Sequence, residues 1–431
     1  MTMKLSGLTC RIFGYGMFEI YLGLAMANDF KEVQLYVPWK GPFPTPDKLM
    51  VGYGIPGIKR VDSFEDDEDQ VDLFCFFDVG DGDKQAQLRR RIAAGDKTLK
   101  PGARVFGAGE SGILEMKRPV FKKALTAQGL SVPEWGEVKS MDALEELLQK
   151  EDDLWIKLDT EYRGIMETRK HDKYTKSRMW LNKLRHDLGC FESITNFMWE
   201  RPIPGVEPGY DEMISAGISL RMGLYGWELK GDAYSCIAMD LDTLCPSLLK
   251  VRKAMAPIWK KYNVCGGISS EIRVGKSRVP FPIDACQRIG NPPGGCISAN
   301  YKNFGPTVYA VAGGDQIKPE FNKPYASELS VDCAGAETEA IPMDLTEKDY
   351  DTIKLRHTCK IGNQHFHIPF KDCGATVVKA VGLGDTREEA EFNCLEAAEN
   401  FKCPGKIFNK DAFSELNEKI EEGKKYGLTG L

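Results

Sequence analysis

Histidine is scarce in this chain, five in 431 residues, and none of the thirteen cysteines forms a C-x-x-C pair. His365 and His367 alternate on an expected strand near Cys359 and Cys373, but their spacing matches no zinc-finger pattern. The cysteine count is odd and the positions are scattered, which reads as reduced, mostly buried thiols in a cytoplasmic protein, not a disulfide framework. Residues 1–10 lack the apolar core of a signal peptide, and no apolar run is long enough to span a bilayer, so no membrane partner is expected. Excess positive charge is missing as well. A net charge of −6 gives no general attraction to nucleic acid or anionic membranes, although it leaves room for a local basic cleft that takes a phosphorylated ligand. Repeats and low-complexity segments are absent. The expectation is a soluble cytoplasmic protein.

What is present is ordinary in bulk. Hydrophobic residues make up 42% and charged residues 28%, as in most globular proteins. A chain of 431 residues is too long for one compact core, so two to four lobes are expected. Near the N-terminus the pattern predicts a strand over 8–13, the turn Gly14-Tyr15-Gly16 and a helix over 18–28. Strands over 33–37 and 71–77, a turn over 78–83, a helix over 85–94 and a strand near Val105 follow. This alternation predicts a small parallel sheet with helices on both faces. Gly-x-Gly without a third glycine reads as a tight strand-to-helix turn, not a dinucleotide site.

Beyond it the pattern predicts a helix over 114–128 that stops at Gly129, with Pro133 just past it. An acidic helix over 143–150, a strand over 154–158, a polar basic segment over 163–176 and a helix over 179–188 come next. A strand over 194–200 runs into Pro202-Ile203-Pro204-Gly205, and a second α+β section extends to about 303. The tail from 315 holds several strands and two helical patterns, and the charge run 65–69 reads as an exposed loop. The fold class is therefore α/β and α+β.

The richest stretch is Glu271-Ile272-Arg273 followed by Asp284-Ala285-Cys286-Gln287-Arg288. Strand alternation puts Glu271 and Arg273 on one face, and Asp284 and Cys286 on one face of the neighbouring strand. Two hard oxygen donors beside a guanidinium suit a Mg²⁺ ion bridging nucleotide phosphates. Upstream stand Glu115-Met116-Lys117-Arg118 opening a helix, Ile156-Lys157-Leu158 on a strand, and Glu200 through Glu207 around the proline-rich turn. Each piece also has a plain structural reading, as helix-surface charge, snorkelling lysine or solvated loop carboxylate.

In this order and at these separations the pieces resemble the ATP-grasp superfamily and, within it, the glycinamide ribonucleotide synthetases (phosphoribosylamine–glycine ligases), over nearly the whole chain. That family's Leu-Glu-Gly-Ser-Lys and Gly-Ile-Pro motifs are similar to Leu114-Glu115-Met116-Lys117-Arg118 and Gly129-Leu130-Ser131-Val132-Pro133. Its carboxy-terminal glycine turns, strand and Glu-Ala helix look like Gly374 through Ala390. Lys157, Arg163-Gly164-Ile165-Met166-Glu167-Thr168 and Glu207-Pro208-Gly209-Tyr210-Asp211 are similar to a divergent branch carried by bacteria and large phages.

The resemblance implies an ATP-grasp fold in four parts. These are a Rossmann-like pre-ATP-grasp domain over 1–110, a first lobe with lid over 111–195, a second lobe with the metal site over 196–312, and an α+β domain over 313–431. It implies that Arg118 and Lys157 hold the ATP phosphates, that Glu200 sits at the adenine hinge and that Glu207 accepts the ribose hydroxyls. Glu271 and Asp284 would ligate Mg²⁺, with Arg273 beside them. Arg288 would steady the transferring phosphoryl group, and Arg163 would belong to a lid. The implied activity is an ATP- and Mg²⁺-dependent carboxylate–amine ligase working through an acyl phosphate, with a small-molecule carboxylate and amine as partners. The alternatives are an authentic phosphoribosylamine–glycine ligase and a non-catalytic nucleotide-binding module. The chain departs from the family at two places. Asp284-Ala285-Cys286 replaces the usual Glu-x-Asn, and Gly14-Tyr15-Gly16-Met17-Phe18-Glu19-Ile20 replaces a turn that carries an arginine and a histidine.

Overall fold

Thr9–Phe13 (β1) is buried at every position, as a strand covered on both faces must be. With Glu32–Tyr36 (β2), Lys59–Arg60 (β3), Leu73–Phe76 (β4) and Arg104–Phe106 (β5) it forms a parallel sheet of order β3-β2-β1-β4-β5. Helices Glu19–Met26 (α1) and Gly82–Ala93 (α2) connect the strands, as the alternation predicted. The computed structural model describes residues 4–38, 50–80, 82–158, 168–369 and 374–431. Arg163, the rest of the segment 159–167, and Cys373 fall outside the described residues. The run 65–69 is exposed as expected except at Glu68. Glu68 is buried and its Oε2 lies 2.6 Å from Arg91 Nη2, so an ion pair to α2 draws this residue in.

The helix expected over 114–128 is two helices, Ile113–Met116 (α3) and Arg118–Ala127 (α4), broken at Lys117. Pro119 is the cause, because its ring would clash with the carbonyl of Glu115 in a continuous helix. Next come Trp135–Lys139 (β6), Met141–Lys150 (α5), Leu154–Leu158 (β7), Thr168–His171 (β8), Tyr174–Leu188 (α6) and Asn196–Glu200 (β9). The strands form an antiparallel sheet of order β6-β9-β7-β8. Met141, Leu144, Ile156, Leu181 and Phe197 belong to a core of this lobe's own, separate from the main one. The expected boundary at 195 falls just ahead of β9, which pairs inside this sheet.

The remaining chain is built around one large antiparallel sheet. Its elements in order are Pro208–Ser215 (β10), Ile218–Leu229 (β11), Ala233–Asp240 (β12), Pro246–Lys261 (α7), Gly266–Val274 (β13), Pro280–Cys286 (β14), Gly294–Asn300 (α8) and Phe304–Ala312 (α9). Then follow Tyr325–Cys333 (β15), Ile341–Met343 (β16), Ile353–Leu355 (β17), Thr358–Ile361 (β18), Gln364–His367 (β19), Thr376–Gly384 (β20), Arg387–Asn400 (α10), Lys406–Ile407 (β21) and Ala412–Lys425 (α11). The large sheet runs β14-β13-β10-β11-β12-β15-β20-β17, so it passes without a break across the boundary expected at 312. His365 and His367 share a face of β19, where Nε2 of His365 meets the Tyr350 hydroxyl at 2.6 Å and Nδ1 of His367 meets the Arg356 carbonyl at 3.0 Å. No helix among the described residues is long and apolar enough to cross a membrane.

Helix α11 closes the sheet by packing on Trp227 of β11, and Gly423 makes the approach possible. A Cβ there would stand 2.0 Å from the indole ring. Alanine in place of a helix glycine normally stabilises, by about 0.5–1 kcal/mol. Here overpacking reverses the sign, and Gly423→Ala should lower unfolding stability by about 1–3 kcal/mol. Urea denaturation checks this, and a stabilised variant would contradict the packing.

Candidate active site

Alternation along β7 aims Leu154, Ile156 and Leu158 into the lobe's core, leaving Trp155 and Lys157 on the opposite face. The Lys157 side chain is only 3% exposed. Its Nζ lies 3.0 and 2.9 Å from the two oxygens of Asp284 and 3.2 Å from Glu200 Oε2. Glu200 ends β9, opposite Trp155. Its other oxygen lies 2.7 Å from Lys122 Nζ, which also donates to the Ile283 carbonyl at 2.6 Å. Arg118, the first residue of α4, reaches Asp284 Oδ1 at 3.5 Å through Nε and donates to the Leu158 carbonyl at 2.7 Å.

The ladder between β13 and β14 shifts register between Ser270 and Ile272. Ile283 and Asp284 both fall opposite Glu271 there, a bulge of the kind that re-aims side chains at functional sites. Burial alone would push the Asp284 carboxyl up, but Lys157, Arg118 and Lys122 outweigh it and hold the group well below the usual carboxylate range. Burial pulls Lys157 down, yet Asp284 and Glu200 carry it above its ordinary value. Both groups therefore stay ionised. Among the described residues, three cations meet two carboxylates there.

A second cluster faces the first across a cleft of about 430 Å³. Lys230 Nζ lies 2.9 Å from Glu207, 3.3 Å from Glu271 and 3.5 Å from Glu228. Arg273 binds the other oxygen of Glu207 at 3.0 Å. Lys157, Glu200, Glu207, Glu271, Arg273 and Asp284 all line this one cavity. Arg288 is not among its lining residues. The Arg288 Nε lies 2.9 Å from Glu115 Oε1 and 3.8 Å from Asp78 Oδ1, which ties it toward the parallel sheet. Cys286 faces Glu271 Oε1 at 3.8 Å, and burial pushes its thiol well up, so it stays neutral.

No family model matches the sequence, and no curated protein matches it. Solved structures do match the fold. A phosphoribosylamine–glycine ligase from Thermotoga maritima aligns over 94% of this chain and 100% of its own, with 17% identity and a TM-score of 0.62. A biotin carboxylase–βγ-ATP complex from Campylobacter jejuni aligns over 94% and 96%, with 13% identity and a TM-score of 0.61. An N5-carboxyaminoimidazole synthetase from Staphylococcus aureus complexed with ADP aligns over 91% and 97%, with 12% identity and a TM-score of 0.58. The chain has an ATP-grasp fold.

Sequence reasoning missed part of this cleft. Lys122 stands one helical turn after Arg118, a spacing that puts both on one face, so it was within reach. Trp155 shares its strand face with Lys157 by the same alternation. Lys230 had no signal, because a lysine before Gly231 looks like any hairpin charge.

Glu228 belongs to the Lys230 cluster, and burial pushes its carboxyl up to about 7, with Glu271 and Glu207 adding to the rise and Lys230 and Lys379 opposing it. A group whose folded-state pKa is raised contributes stability that is complete below the unfolded value, about 4.3, and is lost as pH rises through the folded one. Glu228→Gln should therefore gain on wild type between pH 5 and 8, by on the order of 2 kcal/mol. Denaturant unfolding across that range is the measurement. A pH-independent difference would contradict the assignment.

Proposed function

We propose that the chain is an ATP- and Mg²⁺-dependent carboxylate–amine ligase, in which a carboxylate is activated as an acyl phosphate that an amine then displaces. The observation that carries this reading is the buried lysine Lys157 on the wall of the cleft, backed by Arg118 and Lys122 through Asp284 and Glu200, with the carboxylates Glu207 and Glu271 in the same cavity. Phosphoryl transfer needs alignment and charge neutralisation more than covalent help. Lys157 and Arg118 would bind the triphosphate as fixed charges that need no reorganisation. Glu200, held by Lys122, would stand at the hinge beside the adenine edge, and Glu207, oriented by Arg273, would accept the ribose hydroxyls.

Glu271 and Asp284 fit a nucleotide-borne Mg²⁺, an ion that takes one or two protein carboxylates and completes its shell with phosphate oxygens and water. Both line the cleft, whereas the neutral Cys286 thiol is a poor donor for so hard an ion. Bound there, the ion would neutralise charge on the phosphates. Closure of the separately cored lobe over the cleft would exclude water that otherwise hydrolyses the acyl phosphate. The non-catalytic reading draws on Cys286, but Lys157, Glu271 and Asp284 in one cavity speak for turnover.

The authentic phosphoribosylamine–glycine ligase is disfavoured by the turn after β1. There Glu19 is buried and accepts from the backbone N–H groups of Gly16 at 2.9 Å and Phe18 at 3.2 Å. The helix N-terminus that could take a ligand phosphate already holds a carboxylate of the chain.

ATP with Mg²⁺ should raise the melting temperature by binding the native state, and Lys157→Ala should remove most of that shift. A mutant that shifts as far as wild type would sink the assignment of Lys157. Phosphoribosylamine with glycine should support little ADP formation. Efficient production of glycinamide ribonucleotide by purified protein would restore the purine-pathway reading.

A further inference from the structure

A second cavity, of about 200 Å³, adjoins the cleft. Their common wall is the Glu228–Lys230 pair, since Glu228 lines the second cavity, Lys230 the first, and the two groups are 3.5 Å apart. Three neighbouring strands converge on it. Ser330 of β15 stands directly opposite Lys379 of β20, and Arg356 follows β17, whose Leu355 pairs with Val378. The Lys379 ammonium donates to Ser330 Oγ at 2.9 Å. Arg356 is 5% exposed and Lys379 6% exposed, and both line the cavity.

Two cations buried this deeply cost several kcal/mol each unless something offsets them. Lys379 has Glu328 at 3.6 Å. Arg356 has no carboxylate within ion-pair distance among the described residues, and its Nε is buried without a hydrogen-bond partner. Asp232, an acid of the cavity wall, is held by Asn409 at 3.1 Å. Glu228, the other acid, has a carboxyl that burial pushes up to about 7, so it repels an incoming anion weakly. The guanidinium fork matches carboxylate and phosphate oxygens alike. The cavity is smaller than the ~300–1,000 Å³ of pockets that enclose a whole ligand, so it suits one end of a molecule whose other end lies in the cleft.

We propose that Arg356 and Lys379 bind an anionic group, a carboxylate or a phosphate, carried by the substrate that is not the nucleotide. The identity of that molecule as a ligase substrate rests on the reading above, whereas the anion site itself does not.

Inorganic phosphate and succinate, each titrated calorimetrically without nucleotide at constant ionic strength, test it. At least one of them should bind wild type. Arg356→Gln and Lys379→Gln should weaken that binding tenfold or more, and Arg356→Lys should keep most of it. Lys157→Ala should leave it intact, which separates this cavity from the phosphate grip of the cleft. Tighter binding of phosphate assigns a phosphorylated substrate, and tighter binding of succinate a dicarboxylate. The Gln variants should keep the ATP-induced melting shift. Should Arg356→Gln fail to fold, Lys379→Gln and Arg356→Lys carry the comparison. No binding of either anion to wild type, or equal affinity in the folded Gln variants, would overturn the site. A wild type that binds the anion in an Arg356-dependent way but is not stabilised by ATP would overturn the ligase reading and leave the site standing.

Discussion

Asp284 is the residue on which two lobes close. It stands at a bulge in the large sheet, and both its oxygens are held by Lys157, which belongs to a lobe with its own core. Ions this buried are costly, and only mutual pairing with further hydrogen bonds offsets them. The arrangement supplies such bonds from three elements: Lys157 on β7, Arg118 and Lys122 on α4, and Glu200 at the end of β9. Of these cations, Lys157 also lines the cleft. A triphosphate entering it would compete with Asp284 for the same cations, and the ion it carries would give Asp284 a replacement partner. On the proposed reading, nucleotide binding would be coupled to lobe geometry through this one carboxylate.

The parallel sheet and its helices were legible in the sequence because buried strands such as β1 and β4 are apolar runs between turn signals. Lys157 was legible as a single charge in an otherwise apolar strand, and Glu271 with Asp284 as a pair on adjacent strands. The break at Lys117 was foreseeable from Pro119 but was overridden by the surrounding apolar periodicity. Lys230 was not legible, since its role depends on β11 bringing it beside β13, a pairing that no local pattern encodes. Arg288 was expected in the cleft, yet Glu115 and Asp78 draw it toward the other sheet, and only the three-dimensional neighbours decide that.

On the proposed reading, substrate choice would rest on different residues from nucleotide binding. At the N-terminal turn Glu19 occupies the helix N-terminus. Across the large sheet, Arg356 and Lys379 are buried beside the second cavity, and Arg356 has no carboxylate within ion-pair distance among the described residues. Fold likeness at 12–17% identity does not carry specificity, and these two places are where the chain's own chemistry speaks.

The central claim is that a carboxylate attacks the γ-phosphate of ATP in this cleft. The most direct measurement is the fate of ¹⁸O when purified protein, ATP, Mg²⁺ and an amine are supplied with carboxylates labelled in both oxygens. An acyl phosphate requires that one labelled oxygen leave with the phosphate when the amine displaces it. The account predicts ¹⁸O in the released inorganic phosphate, one atom per ADP formed, for whichever carboxylate supports turnover. ADP release with unlabelled phosphate, or ATP binding with no carboxylate-dependent turnover for any pair, would contradict it.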